Sequence, residues 1–191
     1  MVKRKSATPP SQHTREQLVT AAWSRGRLKY KLRPHQIPIY EAVWNSITNK
    51  VDKTYVVSAS RQYGKSFILL LIATEFALRT PNARIRFACP TGKQLKKIVK
   101  DNAITVFADC PPSLRPEPVD DKTVYRFKHN GSEIHLAGTD GTNYENLRGT
   151  MSHLNILDEA GFMDDLDTVL YSILSPQLKS TDGINVIIST P

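Results

Sequence analysis

The stretch Ala59–Ser66, with the sequence ASRQYGKS, has residue types and spacing that can bind a phosphate group. An apolar run precedes it and a long helical pattern follows it. A turn from a strand into a helix directs backbone N–H groups and the positive end of the helix dipole at one point. Gly64 lets a phosphate approach the backbone, Lys65 can reach the outer phosphates, and the Ser66 hydroxyl can ligate Mg²⁺. Ala59 stands where the usual G-x-x-x-x-G-K-[ST] pattern has its first glycine, so we predict a variant phosphate-binding loop.

A pair of adjacent acids, Asp158 and Glu159, follows a second short apolar run. Successive residues of a strand point to opposite faces, so two neighbouring carboxylates can have different tasks. We predict that Asp158 holds Mg²⁺ together with Ser66, and that Glu159 polarises the water that attacks the terminal phosphate of ATP. An Asp-Glu pair is common on protein surfaces. Its position after an apolar run, in a chain that also has the loop, is what favours ATP hydrolysis.

Phosphoryl transfer also needs positive charge at the transition state, and two arginines are candidates. Arg61 lies inside the loop and Arg148 lies eleven residues before Glu159, but each could equally be a surface arginine. Gln36 offers an amide donor and acceptor that match the edge of adenine, although a surface glutamine at a helix start is the alternative. The predicted nucleotide contacts are Gln36, Ser60, Arg61, Gln62, Tyr63, Gly64, Lys65, Ser66 and Thr190, and the predicted catalytic residues are Lys65, Glu159, Arg61 and Arg148.

The elements that must position these residues alternate between strand-like apolar runs and helical patterns. This alternation is typical of an α/β fold with a mostly parallel sheet flanked by helices, and the pair Asn130-Gly131 predicts an inserted β-hairpin. We interpret Asp164, Asp165 and Asp167 as helix-capping residues rather than a metal site. The predicted strands are residues 55–58, which we expect to be buried, 84–89, 123–128, 133–137, 153–157 and 184–188, and the predicted helices are residues 15–25, 38–49, 67–78, 93–107 and 164–178.

The helix predicted at residues 93–107 is amphipathic and basic. Its lysine face is either simply solvated or a contact for DNA. We expect it to bury Leu95, Ile98, Val99, Ile104 and Phe107 and to expose Lys93, Lys96, Lys97 and Lys100.

The 191 residues suffice for one sizeable core, and the net charge of +8 resides in residues 1–33, which contain nine Lys/Arg and one acid. Such a segment is an arm for DNA or for an acidic partner, and residues 1–12 could equally be a solvated leader. We divide the chain into a basic, partly flexible arm, residues 1–30, and an ATPase domain, residues 31–191.

Cys89 and Cys110 have no disulfide or zinc spacing and predict reduced thiols. We expect neither a membrane span nor a secretory signal, because no apolar run reaches the necessary length.

Four motifs, in order along the chain, resemble those of the large subunits of tailed-bacteriophage terminases. They are Leu32–Gln36, Ser60–Ser66, Leu147–Gly149 followed by Ile156–Ala160, and Ser189–Pro191. The resemblance covers about residues 30–191 and implies a P-loop NTPase of the RecA-like (ASCE) type. In such proteins the strand after the acid pair inserts between the loop strand and the acid strand. That arrangement would put Ser189 and Thr190 beside the γ-phosphate.

The same resemblance implies a function. Large terminase subunits form a homo-oligomeric ring in the host cytoplasm and use ATP and Mg²⁺ to drive double-stranded DNA into a procapsid, with the terminase small subunit and the portal protein as partners. By resemblance, Arg148 would act on the nucleotide of the same or the neighbouring subunit, and the motif at Ser189–Pro191 would couple hydrolysis to motion.

This chain differs from the family pattern in one respect. The RNase H-like nuclease domain of the family, with its metal-binding carboxylates, has no counterpart before Pro191, so we expect no nuclease activity and an ATPase domain that is incomplete at its C-terminus. Two alternatives stay open. One is a superfamily 2 helicase-like DNA translocase, which would need a second RecA-like domain and normally lacks the Arg61-Gln62 pair. The other is a truncated fragment that binds nucleotide or DNA without turnover.

Overall fold

The alternation of apolar runs and helical patterns produces strands and helices close to the predicted positions. The computed structural model describes residues 14–50, 52–120, 123–141 and 143–191, with the backbone alone at residues 99 and 100. The α-helices are α1 (Arg15–Ser24), α2 (Ile37–Asn49), α3 (Lys65–Arg79), α4 (Gly92–Lys97), α5 (Ile104–Phe107) and α6 (Ser175–Gln177). Two π-helical segments, Ile98–Ala103 and Thr168–Leu174, connect α4 to α5 and precede α6, and 3₁₀ turns lie at Lys29–Lys31, Pro34–Gln36, Asn143–Leu147 and Ala160–Phe162.

Seven strands form one sheet in the order β1-β7-β6-β2-β5-β4-β3. They are β1 (Thr54–Ser58), β2 (Arg84–Cys89), β3 (Glu117–Val119), β4 (Val124–Phe127), β5 (Ser132–Gly138), β6 (Leu154–Asp158) and β7 (Ile184–Ser189). The five strands from β1 to β5 in this order are parallel, and β4 and β3 are antiparallel additions. The predicted mostly parallel α/β sheet is confirmed. As the resemblance implied, β7 lies between the loop strand β1 and the acid strand β6.

The predicted hairpin at Asn130-Gly131 is confirmed as the β4–β5 pair. Gly131 has φ of 74°, the left-handed conformation that this turn requires. The Asn130 side chain donates a 2.7 Å hydrogen bond to the Ala77 carbonyl of α3. Because β5 also pairs with β2, the hairpin widens the central sheet and does not form a separate layer.

The core has two parts, one on each face of the sheet. On one face α3 packs its buried residues Ile68–Ala73 against the sheet, together with α2 and with Trp23 and Leu28 from the N-terminal part of the chain. On the other face the π-helical segment Thr168–Leu174 covers Ala88 and Leu157. Both faces of β6 are therefore buried, as expected for the centre of a parallel sheet.

The prediction that residues 55–58 form a buried strand is wrong in one respect. β1 is a strand, but among the described strands it pairs with β7 alone and lies at the edge of the sheet. Val56 is 66% exposed as a result. The apolar run predicts a strand but cannot report the strand order, which depends on where β7 inserts.

The helix predicted at residues 93–107 is only partly confirmed. Its lysines Lys93, Lys96 and Lys97 are exposed, as expected for a solvated face. Ile104, expected to be buried, is 67% exposed. Residue 104 follows Leu95 by nine positions, which is two and a half turns of an α-helix, so it lies opposite the buried Leu95 even in a regular helix. The predicted helix is also interrupted by the π-helical segment Ile98–Ala103.

Three smaller expectations concern the acids Asp164, Asp165 and Asp167, the two cysteines and membrane spans. The predicted helix capping is confirmed at Asp165, whose Oδ1 accepts a 3.3 Å hydrogen bond from the Thr168 N–H. The described residues contain no group of three or more His, Cys, Asp and Glu side chains that could hold a metal ion. Cys89 and Cys110 are free thiols, and burial raises the pKa of each to about 12. No helix in the described part of the chain combines the length and the apolar character that crossing a membrane requires.

The predicted basic arm falls partly outside the described residues, which begin at Thr14. Within them, Trp23 and Leu28 are completely buried in the same core as α3. Two of the basic residues pair with acids of the fold, Lys29 with Glu41 and Lys31 with Asp109. The division of the chain at residue 30 remains a prediction, but residues 23–31 pack as part of the α/β unit.

The buried carboxylate of Glu75, in α3, attaches residues 23–31 and α2 to the rest of the fold. It accepts hydrogen bonds from the Leu28 N–H and, at 2.8 Å each, from the Tyr40 hydroxyl and the Trp44 indole. Arg79 approaches it at 3.5 Å. Burial raises the pKa of Glu75, and these donors oppose that shift.

We expect Glu75→Ala to lower the free energy of unfolding by roughly 3–5 kcal/mol, because it leaves several buried donors without an acceptor. Urea denaturation measures this change. Glu41→Ala is the matched control, since it removes an exposed ion pair with Lys29 and should cost less than about 1 kcal/mol. Equal losses in the two variants would show that Glu75 does not anchor the segment.

Candidate active site

The predicted loop turns from β1 into α3 through two residues with positive φ, Gln62 at 62° and Gly64 at 82°. A Cβ atom at Gly64 would lie 2.3 Å from Nε2 of Gln36. Gly64 is therefore required both for its backbone conformation and for the close approach of Gln36. Lys65 and Ser66 follow as the first residues of α3, where N–H groups are free to bind an anion.

Lys65 is only 5% exposed, and oxygen atoms surround its ammonium group. Nζ donates to the carbonyls of Ala59 and Ser60, both at 3.1 Å, and to Oγ1 of Thr190 at 2.8 Å. Oε1 of Glu159 lies 3.1 Å away and completes an ion pair. The structure thus brings together the predicted loop lysine, the second acid and Thr190.

Asp158, the last residue of β6, is 1% exposed. Its Oδ2 accepts a hydrogen bond from the Ser66 hydroxyl, while its Oδ1 is buried without a partner in the described structure. Burial raises the pKa of Asp158 to about 6, and the neighbouring Glu159 charge adds to the shift. An orphaned carboxylate oxygen beside a hydroxyl group is a donor set that suits a hard cation, so these two residues fit Mg²⁺.

Glu159 leaves β6 in the left-handed conformation, with φ of 54°, which is strained for a residue other than glycine. This turn carries its carboxylate towards the end of β7. There it accepts hydrogen bonds from the Thr190 N–H at 3.2 Å and from the Thr190 hydroxyl at 2.9 Å. The neighbouring Ser189 Oγ accepts a hydrogen bond from the Gly161 N–H at 3.1 Å, and its place beside the γ-phosphate stays a prediction.

A cavity of about 220 Å³ adjoins the loop and connects these groups. It is lined by Gln62, Gly64, Lys65, Ser66, Phe67, Asn102 and Glu159. Two lining residues are not among the predicted site residues: Phe67, which directly follows the loop, and Asn102, which the sequence reasoning missed because it belongs to a helix predicted to be regular. A larger cavity, of about 920 Å³, lies between α4 and β5 and contains none of the predicted site residues.

Gln36 is 6% exposed and lies against the loop. Its Oε1 accepts a 2.9 Å hydrogen bond from the Arg33 N–H, and its Nε2 donates to the Tyr63 carbonyl at 3.3 Å. The Tyr63 ring packs edge-on against His35, with 5.2 Å between ring centroids. Gln36 thus supports the loop from behind, and its role in adenine recognition stays a prediction.

The two candidate arginines lie in different places. Arg61, like Ser60, is exposed within the loop. Arg148 pairs with Glu145 and lines a separate cavity of about 240 Å³ beside α6. The structure therefore does not place Arg148 in the loop cavity of its own chain.

A family model described as the N-terminal part of the T4likevirus-type terminase large subunit matches residues 56–191. The chain belongs to this family. The match covers the loop, the acid pair and the C-terminal motif, and it confirms the family that the motifs predicted. No curated protein matches this chain.

Solved structures of phage terminases share the fold. The ATPase domain of the Thermus phage P74-26 large terminase is 24% identical, with 86% of this chain and 66% of that chain covered and a TM-score of 0.64. The HK97 bacteriophage large terminase is 18% identical, with coverages of 93% and 38% and a TM-score of 0.61. A third large terminase, from a thermophilic bacteriophage and solved in complex with ADP, is 10% identical, with coverages of 83% and 39% and a TM-score of 0.63. The chain thus spans less than two thirds of each of these proteins.

We expect Asp158→Asn to raise the free energy of unfolding at pH 7.5 in EDTA by roughly 2–3 kcal/mol, because it removes the cost of keeping a buried carboxylate ionised above its raised pKa of about 6. The folded pKa lies above the unfolded one, so wild-type stability falls as pH rises from about 4 to about 6 and this contribution is constant above that. Urea unfolding of both proteins at pH 4 and pH 7.5 measures the difference. A gap that does not widen between these pH values would contradict the prediction.

Proposed function

We propose that the chain is an ATPase motor domain of a terminase large subunit, which hydrolyses ATP to translocate double-stranded DNA into a procapsid. The observation that carries the proposal is the convergence of Lys65, Ser66, Asp158, Glu159 and Thr190 at the carboxyl ends of the parallel strands. Family membership supports it. The large terminase of the thermophilic bacteriophage, whose fold this chain shares, has been solved with ADP and with ATP-γ-S.

In this proposal the loop residues and the first turn of α3 bind the phosphates. Lys65 exchanges its contacts with the loop carbonyls and Glu159 for the β- and γ-phosphates. Ser66 and Asp158 would hold Mg²⁺, which would neutralise part of the phosphate charge when bound. The Asp158 oxygen that has no partner within the described structure would then have one.

Glu159 is the proposed general base. Its carboxylate lies within 3.2 Å of the Thr190 backbone N–H, which holds it at the end of β7 and beside the loop cavity. From this position it can accept a hydrogen bond from the attacking water and orient it towards the γ-phosphate. Thr190 contacts both Glu159 and Lys65, so it senses whether a phosphate has drawn Lys65 away.

The remaining parts of the proposal rest on the family. Arg61 would neutralise charge on its own nucleotide. Arg148, which lies outside the loop cavity, would act on the nucleotide of a neighbouring subunit in a homo-oligomeric ring. Double-stranded DNA, the terminase small subunit and the portal protein would be the partners, and the host cytoplasm the place of action. The family match favours this interpretation over a helicase.

We expect Glu159→Gln to lower kcat for Mg-ATP hydrolysis about 100-fold or more, because general-base assistance is lost while the charge-independent contacts remain. The affinity for ATP should change less than about threefold. Steady-state hydrolysis and nucleotide titration measure the two quantities. Asp182→Asn, just before β7 at the opposite ends of the strands and paired with Lys50 and Lys53, is the control and should match the wild type. An unchanged kcat in Glu159→Gln would exclude this residue as the base.

A trans-acting Arg148 predicts a rate per subunit that rises with protein concentration. We expect Arg148→Ala, like Glu159→Gln, to lower the rate of hydrolysis strongly, and a mixture of the two variants to recover part of it. In the mixture, an intact Arg148 from one variant can face an intact Glu159 from the other. A mixture as inactive as its components would show that both residues must lie in one chain. Nucleotide binding without turnover at any concentration would favour a binding fragment.

A further inference from the structure

Asn102 lies beside the loop cavity although it comes from outside the strand ends that form the rest of the site. It shares the cavity with Lys65, Ser66 and Glu159. Its side chain is partly buried. Neither Gln36 nor His35 is among the residues that line this cavity, so Asn102 adjoins the phosphate end of the site rather than the end predicted for adenine.

The π-helical segment Ile98–Ala103 is what places Asn102 there. In a regular α-helix the buried position after Ile98 would be residue 102, one turn later. The wider turn gives that position to Ala103, which is 2% exposed, and the buried face continues with Val106. Asn102 is thereby displaced from the core to the rim of the cavity. Such single π turns occur frequently at functional sites.

We propose that the side-chain amide of Asn102 donates a hydrogen bond to the terminal phosphate of a bound nucleoside triphosphate. This inference rests on the proposed function. A carboxamide is suited to the task because it offers two N–H donors to an anionic oxygen without adding charge to a site that already holds Lys65. The donor belongs to the helix between β2 and β3, so the contact links the state of the nucleotide to this helix in addition to the loop and the acids.

The test compares the binding of Mg-ATP-γ-S and Mg-ADP to the 191-residue chain by calorimetry. Asn102→Ala should weaken binding of the triphosphate about tenfold, the loss expected for one hydrogen bond to a charged oxygen, and change ADP binding less than about twofold. Asn102→Asp should weaken the triphosphate further, because it adds a negative charge beside the terminal phosphate. Thr105→Ala, an exposed position of the same helix, is the matched control and should bind both nucleotides as the wild type does.

The outcomes separate the inference from the proposed function. If the wild-type chain binds both nucleotides and Asn102→Ala keeps the wild-type ratio of affinities, the inference is wrong and the proposed function stands. The same conclusion holds if Asn102→Ala weakens both nucleotides equally and lowers Tm, since that is the effect of a purely structural residue. If the wild-type chain binds neither nucleotide, and Lys65→Ala behaves identically, the proposed function fails and the inference fails with it.

Discussion

The ammonium group of Lys65 is almost completely buried, and the arrangement of the site depends on how that charge is balanced. An unpaired charge at such a position costs several kcal/mol, so oxygen atoms must surround it. The loop supplies two carbonyls, β7 supplies Thr190, and the turn after β6 supplies Glu159. These acceptors come from three strand ends, and they meet only because β7 lies between β1 and β6.

The site reduces stability in ways that the rest of the fold offsets. Asp158 holds a buried oxygen without a partner in the described structure, and Glu159 adopts a strained left-handed conformation. Proteins accept such local costs chiefly where function requires them. Near the opposite end of α3 the buried carboxylate of Glu75 has hydrogen-bond partners, since it accepts from three donors in residues 23–31 and α2. One helix thus carries the reactive loop at its first residues and the main polar anchor at its last turns.

The sequence predicts those features that depend on local pattern. The loop, the acid pair and the Asn130-Gly131 hairpin all follow from neighbouring residues, and each has the expected secondary structure. Predictions of features that depend on distant parts of the chain were wrong, and some of these features were not predicted at all. The exposure of Val56 follows from strand order. A π turn that no local residue type indicates interrupts the helix predicted at residues 93–107. Asn102 was missed for the same reason, because a regular helix would have turned it inward.

The contacts of Thr190 give a physical reason why binding and hydrolysis would be linked in the proposed mechanism. Its hydroxyl lies 2.8 Å from Lys65 and 2.9 Å from Glu159, while Lys65 and Glu159 also pair directly. A phosphate that attracts Lys65 competes with Glu159 for the same charge. The carboxylate then loses its ion pair, and the backbone N–H of Thr190 still holds it in place. Binding of the phosphate would therefore free the base without moving it, and the end of β7, where Thr190 lies, would be the first element to register the change.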